Sequence, residues 1–360
     1  MPQPQITIQE AGPSDLSVVA DLLRHRDQRD HDIQSVRRYL LDLDPDRLRA
    51  WIAIVDGQPG GLTALYIRNL LWNDGETIKA GYWAHLYVQP QYRKLMLYPQ
   101  LVFAMLNGAK SAGLDLIYTG TRRRKVAEAH VKLGFHRVGR LPVLIKPLSP
   151  ARLISKHKDW PGATRLLAAP IDSLYRGYLA ARRPGCPANL SAEELKLSSG
   201  DVETLVQMAN ARGKDRISQR WTADDLRRRF AGTIEGGPYS VLVAWSAGAL
   251  TAALIFRLAE RGNGIRVSVI MDVVCSPSAA SAARCLLGEA ERRADHDHCE
   301  AMLYLEGAGP TMGELVAKLG YRNSPEAYDI LVWPKEKVPT GSAAAEISRW
   351  RFAFADHDAF

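Results

Sequence analysis

A chain of 360 residues is longer than a single hydrophobic core usually serves, so two domains are expected. Its 46% hydrophobic and 24% charged residues are those of an ordinary folded protein and exclude a mainly disordered chain. The net charge of +8 favours an anionic partner, such as a phosphorylated cofactor, an acidic carrier protein or RNA, and does not choose among them.

In chain order, residues 6–10 read as a strand, and Ser14-Asp15 caps a helix whose apolar positions are Leu16, Val19, Leu22 and Leu23. Residues 51–56 read as a second strand, turned at Asp56-Gly57 into the apolar run 62–67. A hairpin at Asn73-Asp74-Gly75 leads to a strand over 80–88. A helix over 95–112, a strand over 114–119 and a helix over 125–133 follow. The pattern is an antiparallel meander and then a β-α-β-α unit. Residues 148–191 read as a linker rich in Pro, Arg and Lys, with an amphipathic helix over 163–181 that bridges or packs on both domains. The tail, residues 336–360, alternates over 350–358 and reads as a late strand completing a sheet.

The same order of elements recurs. Leu62-Thr63-Ala64 is echoed by Leu250-Thr251-Ala252, Val88-Gln89-Pro90 by Cys275-Ser276-Pro277, and Lys132-Leu133-Gly134-Phe135 by Lys318-Leu319-Gly320-Tyr321, each at an offset close to 187 residues. Such agreement makes the chain a tandem repeat, with domains expected over 1–147 and 192–335. No apolar run is long enough to span a bilayer and no leader pattern is seen, so a soluble cytoplasmic protein without a membrane partner is expected. Cys186, Cys275, Cys285 and Cys299 form no CxxC pair, and free thiols are expected.

The stretch from Val88 to Leu101 resembles motif A of the GNAT superfamily of CoA-dependent N-acyltransferases, in which a strand ending V-x-P meets an Arg/Gln-x-x-Gly-x-Gly/Ala loop and a helix. In that family the loop amides and the helix N-terminus hold the CoA pyrophosphate, and glycine lets the backbone approach it. Here Tyr92-Arg93 match the loop's opening, while Met96 and Tyr98 stand at the glycine positions. Residues 121–135 resemble the family's end signature and close on Lys132-Leu133-Gly134-Phe135. The tyrosine that commonly protonates the departing CoA thiolate falls on His130, whose imidazolium is a proton donor near neutral pH. In the second copy Ala280, Ala283 and Val316 replace Arg93, Met96 and His130, which makes that copy structural or substrate-shaping.

The resemblance implies an α/β (α+β) chain of two tandem GNAT-like domains, each a mixed, mostly antiparallel sheet flanked by helices. It implies acetyl-CoA or another acyl-CoA as donor and a small-molecule or sugar amine as acceptor, bound near the interdomain cleft. A donor carried on tRNA or an acyl carrier protein, and a non-catalytic binding module, stay open as alternatives.

Within that resemblance the strand over 80–88 supplies amides near Leu86, Tyr87 and Val88 to polarise the thioester carbonyl. His85 is the candidate base, directly or through water, against the alternative of a hydrogen-bonded core or surface histidine. Tyr82 joins it only if a bulge intervenes, because residues three apart face opposite sides of a regular strand. Arg93, Lys94, Leu95, Met96, Leu97 and Tyr98 form the loop and helix start facing the pyrophosphate. Arg122, Arg123 and Arg124 flank it as phosphate partners, against the alternative of a solvated basic face. His25 and His31 are read as exposed. Asp295-His296-Asp297-His298-Cys299 offers metal-ligand residue types, but adjacent side chains diverge, so it reads as a polar connector and no metal is expected.

Overall fold

Apolar alternation and turn residues set the elements before any packing is considered. Asp56 and Gly57 are both left-handed (φ 50° and 78°), as a two-residue hairpin turn requires, and they join the strands that the sequence places on either side. The computed structural model describes residues 4–28, 30–72, 76–158, 162–213, 216–230, 238–261, 264–276, 278–334, 336, 342 and 345–357. The first repeat runs β1 (Ile6–Ala11), α1 (Leu16–Asp27), α2 (Ile33–Tyr39), β2 (Leu48–Val55), β3 (Gln58–Leu71), β4 (Thr77–Val88), α3 (Leu97–Ser111), β5 (Leu116–Thr121), α4 (Arg124–Lys132) and β6 (His136–Pro147). Two helices follow, α5 (Pro150–Lys158) and α6 (Gly162–Arg182). The second repeat runs β7 (Ser191–Glu194), α7 (Asp201–Gly213), β8 (Ser218–Gln219), α8 (Ala223–Phe230), β9 (Tyr239–Ser246), β10 (Ala249–Arg261), β11 (Ile265–Cys275), α9 (Ala280–His296), β12 (Ala301–Leu305), α10 (Pro310–Lys318) and β13 (Arg322–Trp333).

The chain folds into two compact units, Met1–Gly139 with Asp329–Ile347, and Arg140–Tyr328 with Ser348–Phe360. Each has a mixed, mostly antiparallel sheet flanked by helices. The first sheet is ordered β1-β2-β3-β4-β5-β13 and the second β6-β12-β11-β10-β9-β7. The repeats have therefore exchanged their last strands. Asp329 to Trp333 of the second repeat pair antiparallel with Thr121 to Ile117, and Val143 to Pro147 of the first pair antiparallel with Leu305 to Ala301. The folded units do not follow the expected boundaries at 147 and 192. Alternation fixes which face of a strand is buried, not which equivalent edge it joins.

Each exchanged strand is held by charge as well as by apolar packing. In the first unit Arg137 lies 3.5 Å from Asp329, and Leu331 joins the core of Trp51, Trp83, Leu97, Leu101 and Met105. Trp51 reaches that core because Gly108 of α3 has no side chain; a Cβ there would lie 2.2 Å from the indole ring. In the second unit Lys146 of β6 donates to Glu291 of α9 at 2.5 Å with both side chains buried, and Arg183 lies 3.5 Å from the same carboxylate. Leu144 enters a core with Leu254, Ile270, Leu286 and Tyr304.

Several expectations are corrected. Asp15 stands at the N-cap of α1 without a side-chain capping bond; its carboxylate accepts from the Gly12 amide at 2.9 Å instead. Among the described residues the tail forms no strand: it makes one isolated bridge, Trp350 to Ile217, and then a short 3-10 turn over Phe354–Asp356. It is nonetheless buried, with Trp350, Phe352 and Phe354 at 2% exposure or less, so apolar alternation marked burial rather than pairing. Cys186 and Cys285 form a disulfide where free thiols were expected, and only Cys275 and Cys299 are free. The linker helices α5 and α6 belong to the second unit, where Asp172 of α6 accepts from the Ala151 and Arg152 amides. The hairpin expected at Asn73–Gly75, Pro277 of the repeat and Asp358 of the tail lie outside the described residues. Among the described residues no helix is long and apolar enough to cross a membrane.

The buried pair gives a stability test of the exchange. Lys146→Met should destabilise the chain by about 3–5 kcal/mol, because Glu291 keeps a buried charge without its close partner, while Lys146→Met with Glu291→Leu should recover most of that loss. Urea unfolding of the three proteins checks it, and equal losses in the single and double variants would refute a paired role.

Candidate functional site

The site begins with a break in a sheet. β4 and β5 run parallel, but their ladder covers only Ala80–Leu116, Gly81–Ile117 and Tyr82–Tyr118, although β4 continues to Val88 and β5 to Thr121. The Thr119 hydroxyl donates to the Trp83 carbonyl at 3.0 Å and marks where the strands part. The cause lies on the other edge of β4. There Leu62 faces Tyr87 and Ala64 faces Ala84, so β4 carries one extra residue, and His85 is left-handed at φ 57°. A bulge with a non-glycine residue at positive φ bends the strand and stores on the order of 1–3 kcal/mol, which persists only where the surroundings enforce it. Gly61 is part of that enforcement, since a Cβ there would sit 2.9 Å from the Tyr87 carbonyl oxygen.

The bulge settles the condition attached to Tyr82. Tyr66, Tyr82 and Tyr118 form a row across β3, β4 and β5, with Tyr66–Tyr82 and Tyr82–Tyr118 ring centroids 6.5 and 5.2 Å apart. His85 turns to the same side and lies 5.7 Å from the Tyr66 ring. Tyr82 is 1% exposed, with the Arg68 guanidinium 4.4 Å above its ring.

His85 is held at both nitrogens. Arg26 Nη1 lies 2.6 Å from Nδ1, and a guanidinium can only donate, so Nδ1 accepts. The neutral ring then carries its proton on Nε2, which donates to Tyr66 Oη at 2.9 Å. Arg26 also grips Asp27 through two nitrogens, at 2.5 and 2.7 Å, and His31 Nε2 donates to Asp27 at 3.0 Å. Burial pushes the Asp27 carboxyl up, but Arg26 and His31 outweigh it and hold it below its ordinary value. His31 was expected to be exposed and its side chain is 2% exposed; His25 is half exposed, as expected. Arg26, Asp27, Tyr39, Tyr66 and Tyr118 escaped the sequence reading, because cross-strand register and helix-to-sheet contact leave no trace in linear spacing.

The loop that resembles motif A is a 3-10 helix over Pro90–Leu95, followed by Met96 in the left-handed conformation (φ 56°, ψ 32°) as N-cap of α3. Met96 thus takes the backbone shape usually left to glycine. Its side chain is 66% exposed, so it does not fill the opening. Space for the loop comes from β3 instead: a Cβ on Gly60 would lie 3.0 Å from the Tyr92 ring and 3.2 Å from Leu97. No side chain caps α3, so its first amides face outward; Pro99 in that turn has none to give. Leu97 is buried in the core. Arg93 and Lys94 are exposed, Leu95 packs partly against the core, and Arg93 opposes the upward push of burial on the Tyr87 hydroxyl. Leu86 and Val88 pack partly on the same core. Arg122, Arg123 and Arg124 are exposed; Arg123 is the N-cap of α4 and Arg124 donates to Glu128 at 3.1 Å.

His130 lies on the α3–α4 side of the sheet, away from Tyr82 and His85. Its ring stacks on Trp83 at 4.2 Å, is 3% exposed, and shares a hydrogen bond between Nδ1 and Tyr98 Oη at 2.8 Å. Burial lowers its pKa from 6.5 to about 4, so the imidazolium expected near neutral pH does not form. Burial also pushes the Tyr98 hydroxyl up to about 12, so it keeps its proton. The pair joins a protonated phenol to a neutral imidazole.

The second unit keeps the split and closes it. The β11–β12 ladder ends at Ile270–Tyr304, a bulge follows at Met271–Asp272, and Asp272 stands where the repeat offset puts His85. Arg351 of the tail donates to Asp272 at 2.6 and 2.8 Å, and Gly307 lies so close to Phe352 that a Cβ would meet its carbonyl. The chain's own tail occupies this unit's cleft. In the His/Asp/Cys stretch, Asp295 pairs with Arg176 and Arg183, His296 is exposed and Cys299 is buried. Among the described residues no cluster of such groups is placed to hold a metal ion.

No protein-family model matches the sequence, and a search of curated proteins finds no match. Solved structures do match. A probable N-acyltransferase of unknown function from Enterococcus faecalis V583 is 12% identical, with a TM-score of 0.63, 92% of this chain covered and 72% of that one. N-myristoyltransferase from Saccharomyces cerevisiae with bound myristoyl-CoA is 12% identical, with a TM-score of 0.64 and coverages of 93% and 84%. A GCN5-related N-acetyltransferase from Anabaena variabilis ATCC 29413 is 10% identical, with a TM-score of 0.62 and coverages of 91% and 72%. At such identities the likeness speaks for the fold alone.

The buried His130 gives a pH test. Between pH 6.5 and 4 the unfolded chain binds a proton that the folded ring refuses, so stability falls by about 3 kcal/mol as pH drops through that window. His130→Gln should flatten this part of the stability curve relative to the parent. Parallel curves in denaturant titrations at pH 4.5 and 7 would show that the ring titrates normally.

Proposed function

The chain has the fold of the GNAT superfamily, and from that premise we propose that its first unit is an acyl-CoA-dependent N-acyltransferase acting on a small-molecule or sugar amine. The observation that carries this reading is the parting of β4 and β5 beyond Tyr82–Tyr118 beside a left-handed bulge at His85. A parted pair of parallel strands leaves backbone groups on the cleft side of β4, near Leu86, Tyr87 and Val88, that a thioester carbonyl can engage. An acyl-CoA, when bound, supplies the activated carbonyl and a thiolate leaving group. The uncapped start of α3 and the exposed cations Arg93, Lys94, Arg122, Arg123 and Arg124 fit its phosphates.

Tyr98 takes the acid role that the resemblance implies for His130. It holds its proton at neutral pH, and the neutral His130 ring, with its own proton on Nδ1, donates to the Tyr98 oxygen, fixes the hydroxyl and leaves the phenol proton to be given. His85 takes a positioning role, because its one acceptor nitrogen is engaged by Arg26; it ties α1 to the bulge and orients Tyr66 along the acceptor side. The exposed basic loop also suits a donor carried on tRNA or an acyl carrier protein, and binding of that kind falls steeply with salt.

A thermal-shift series with CoA, acetyl-CoA and myristoyl-CoA tests the reading: at about a hundred times its dissociation constant a true donor stabilises the fold by about 2.7 kcal/mol. No shift with any of the three would end it. Tyr98→Phe should lower kcat by about 10²-fold or more with KM for the acyl-CoA little changed, read from thiol release. A loss confined to KM would make Tyr98 a binding residue only.

A further inference from the structure

A cavity of about 130 Å³ in the second unit is lined by Arg212, Arg216, Ala308, Gly309, Thr311 and Arg351. Half of this lining is arginine, and none of it is carboxylate. The three guanidinium groups come from separate places: the end of α7, the segment after it, and the tail. Arg212 donates to the Cys275 carbonyl at 2.9 Å. Arg216 lies against Gly309, where a Cβ would come within 2.4–2.7 Å of the guanidinium, and Gly309 has φ 106°. The positive φ is what calls for glycine there. Gly309 leads into α10, a helix of nine residues with no side-chain cap; Pro310 has no amide, and the Met312 and Gly313 amides return to the Gly309 carbonyl, which leaves the Thr311 amide at this space.

Arg351 is 4% exposed and its Nη2 serves Asp272. Asp272 and Asp356 bear on Arg351, and Glu306 lies 2.5 Å from where a Cβ of Gly313 would be, but none of these carboxylates lines the cavity. A hollow lined by three guanidinium groups and no carboxylate suits an oxyanion. The volume is well below the roughly 300 Å³ of a drug-sized ligand pocket, so it suits one small group.

We propose that this cavity is an oxyanion site that takes a single phosphate-sized group, free or at the end of a small phosphomonoester, held by Arg212, Arg216, Arg351 and the Thr311 amide. The site is independent of the acyltransferase reading, since no residue of the first unit takes part. It gives the second unit, whose cleft is closed to a long ligand by the tail, a ligand of its own.

Isothermal titration of the full chain with inorganic phosphate, with chloride balancing ionic strength, tests it. One saturable site is expected, weakened about tenfold or more by Arg216→Gln and by Arg351→Lys, which keeps a cation for Asp272, and unchanged by Arg93→Gln in the first unit. Circular dichroism melts establish that each variant is folded before it is scored. Glycerol 3-phosphate binding more tightly than phosphate would assign the group to an esterified small molecule, and equal or weaker binding to free phosphate. Absence of saturable heat, or a loss in Arg93→Gln with none in Arg216→Gln, would overturn the proposal.

Discussion

A backbone that turns left-handed at one non-glycine residue governs the first unit. His85 can hold φ 57° only because the surroundings leave it no alternative: Gly61 lets the Tyr87 carbonyl approach, Tyr66 and Arg26 hold the ring, and Thr119 takes the Trp83 carbonyl where the ladder ends. From that one conformation follow the parted strands, the tyrosine row on one side, and the His130–Tyr98 pair stacked on Trp83 on the other. Met96 repeats the device eleven residues later and sets the entry into α3. Strain of this kind is maintained by packing elsewhere, here the glycines of β3 and the core beneath α3.

The second unit shows the same scaffold put to another use. Its bulge and split survive, but an acidic residue, Asp272, sits at the equivalent point and binds Arg351 of the tail. Burying an isolated carboxylate in such a place is costly, and the guanidinium removes that cost while the flanking Trp350, Phe352 and Phe354 fill the cleft. The exchange of last strands makes the two repeats depend on one another's sequence: neither unit has a complete sheet without a strand from the other copy. The disulfide between Cys186 and Cys285 adds a covalent tie between the segment after α6 and α9.

Much of the fold was legible. The strands and helices of the first repeat lie within a few residues of where periodicity put them, because hairpin turns, V-x-P ends and Lys-Leu-Gly-Phe closures are local signals. Arg93, Lys94 and Met96 lie on the loop between β4 and α3 where the same local signals put them. What could not be read is what depends on contact. His130 was assigned a charge that burial beneath Trp83 forbids, and His85 was offered as a base although a guanidinium from α1 occupies its lone pair. The tail's alternation was taken for pairing, where the structure uses it for filling.

Sequence alone determined the repeat, the order of its elements and the place of the loop between β4 and α3, since these rest on local propensity and on spacing along one chain. Only the tertiary structure decided which strand completes which sheet, which histidine is neutral, and which cleft stays open. Those outcomes depend on register, desolvation and the close approach of residues far apart in the chain, and none of these has a signature in linear order.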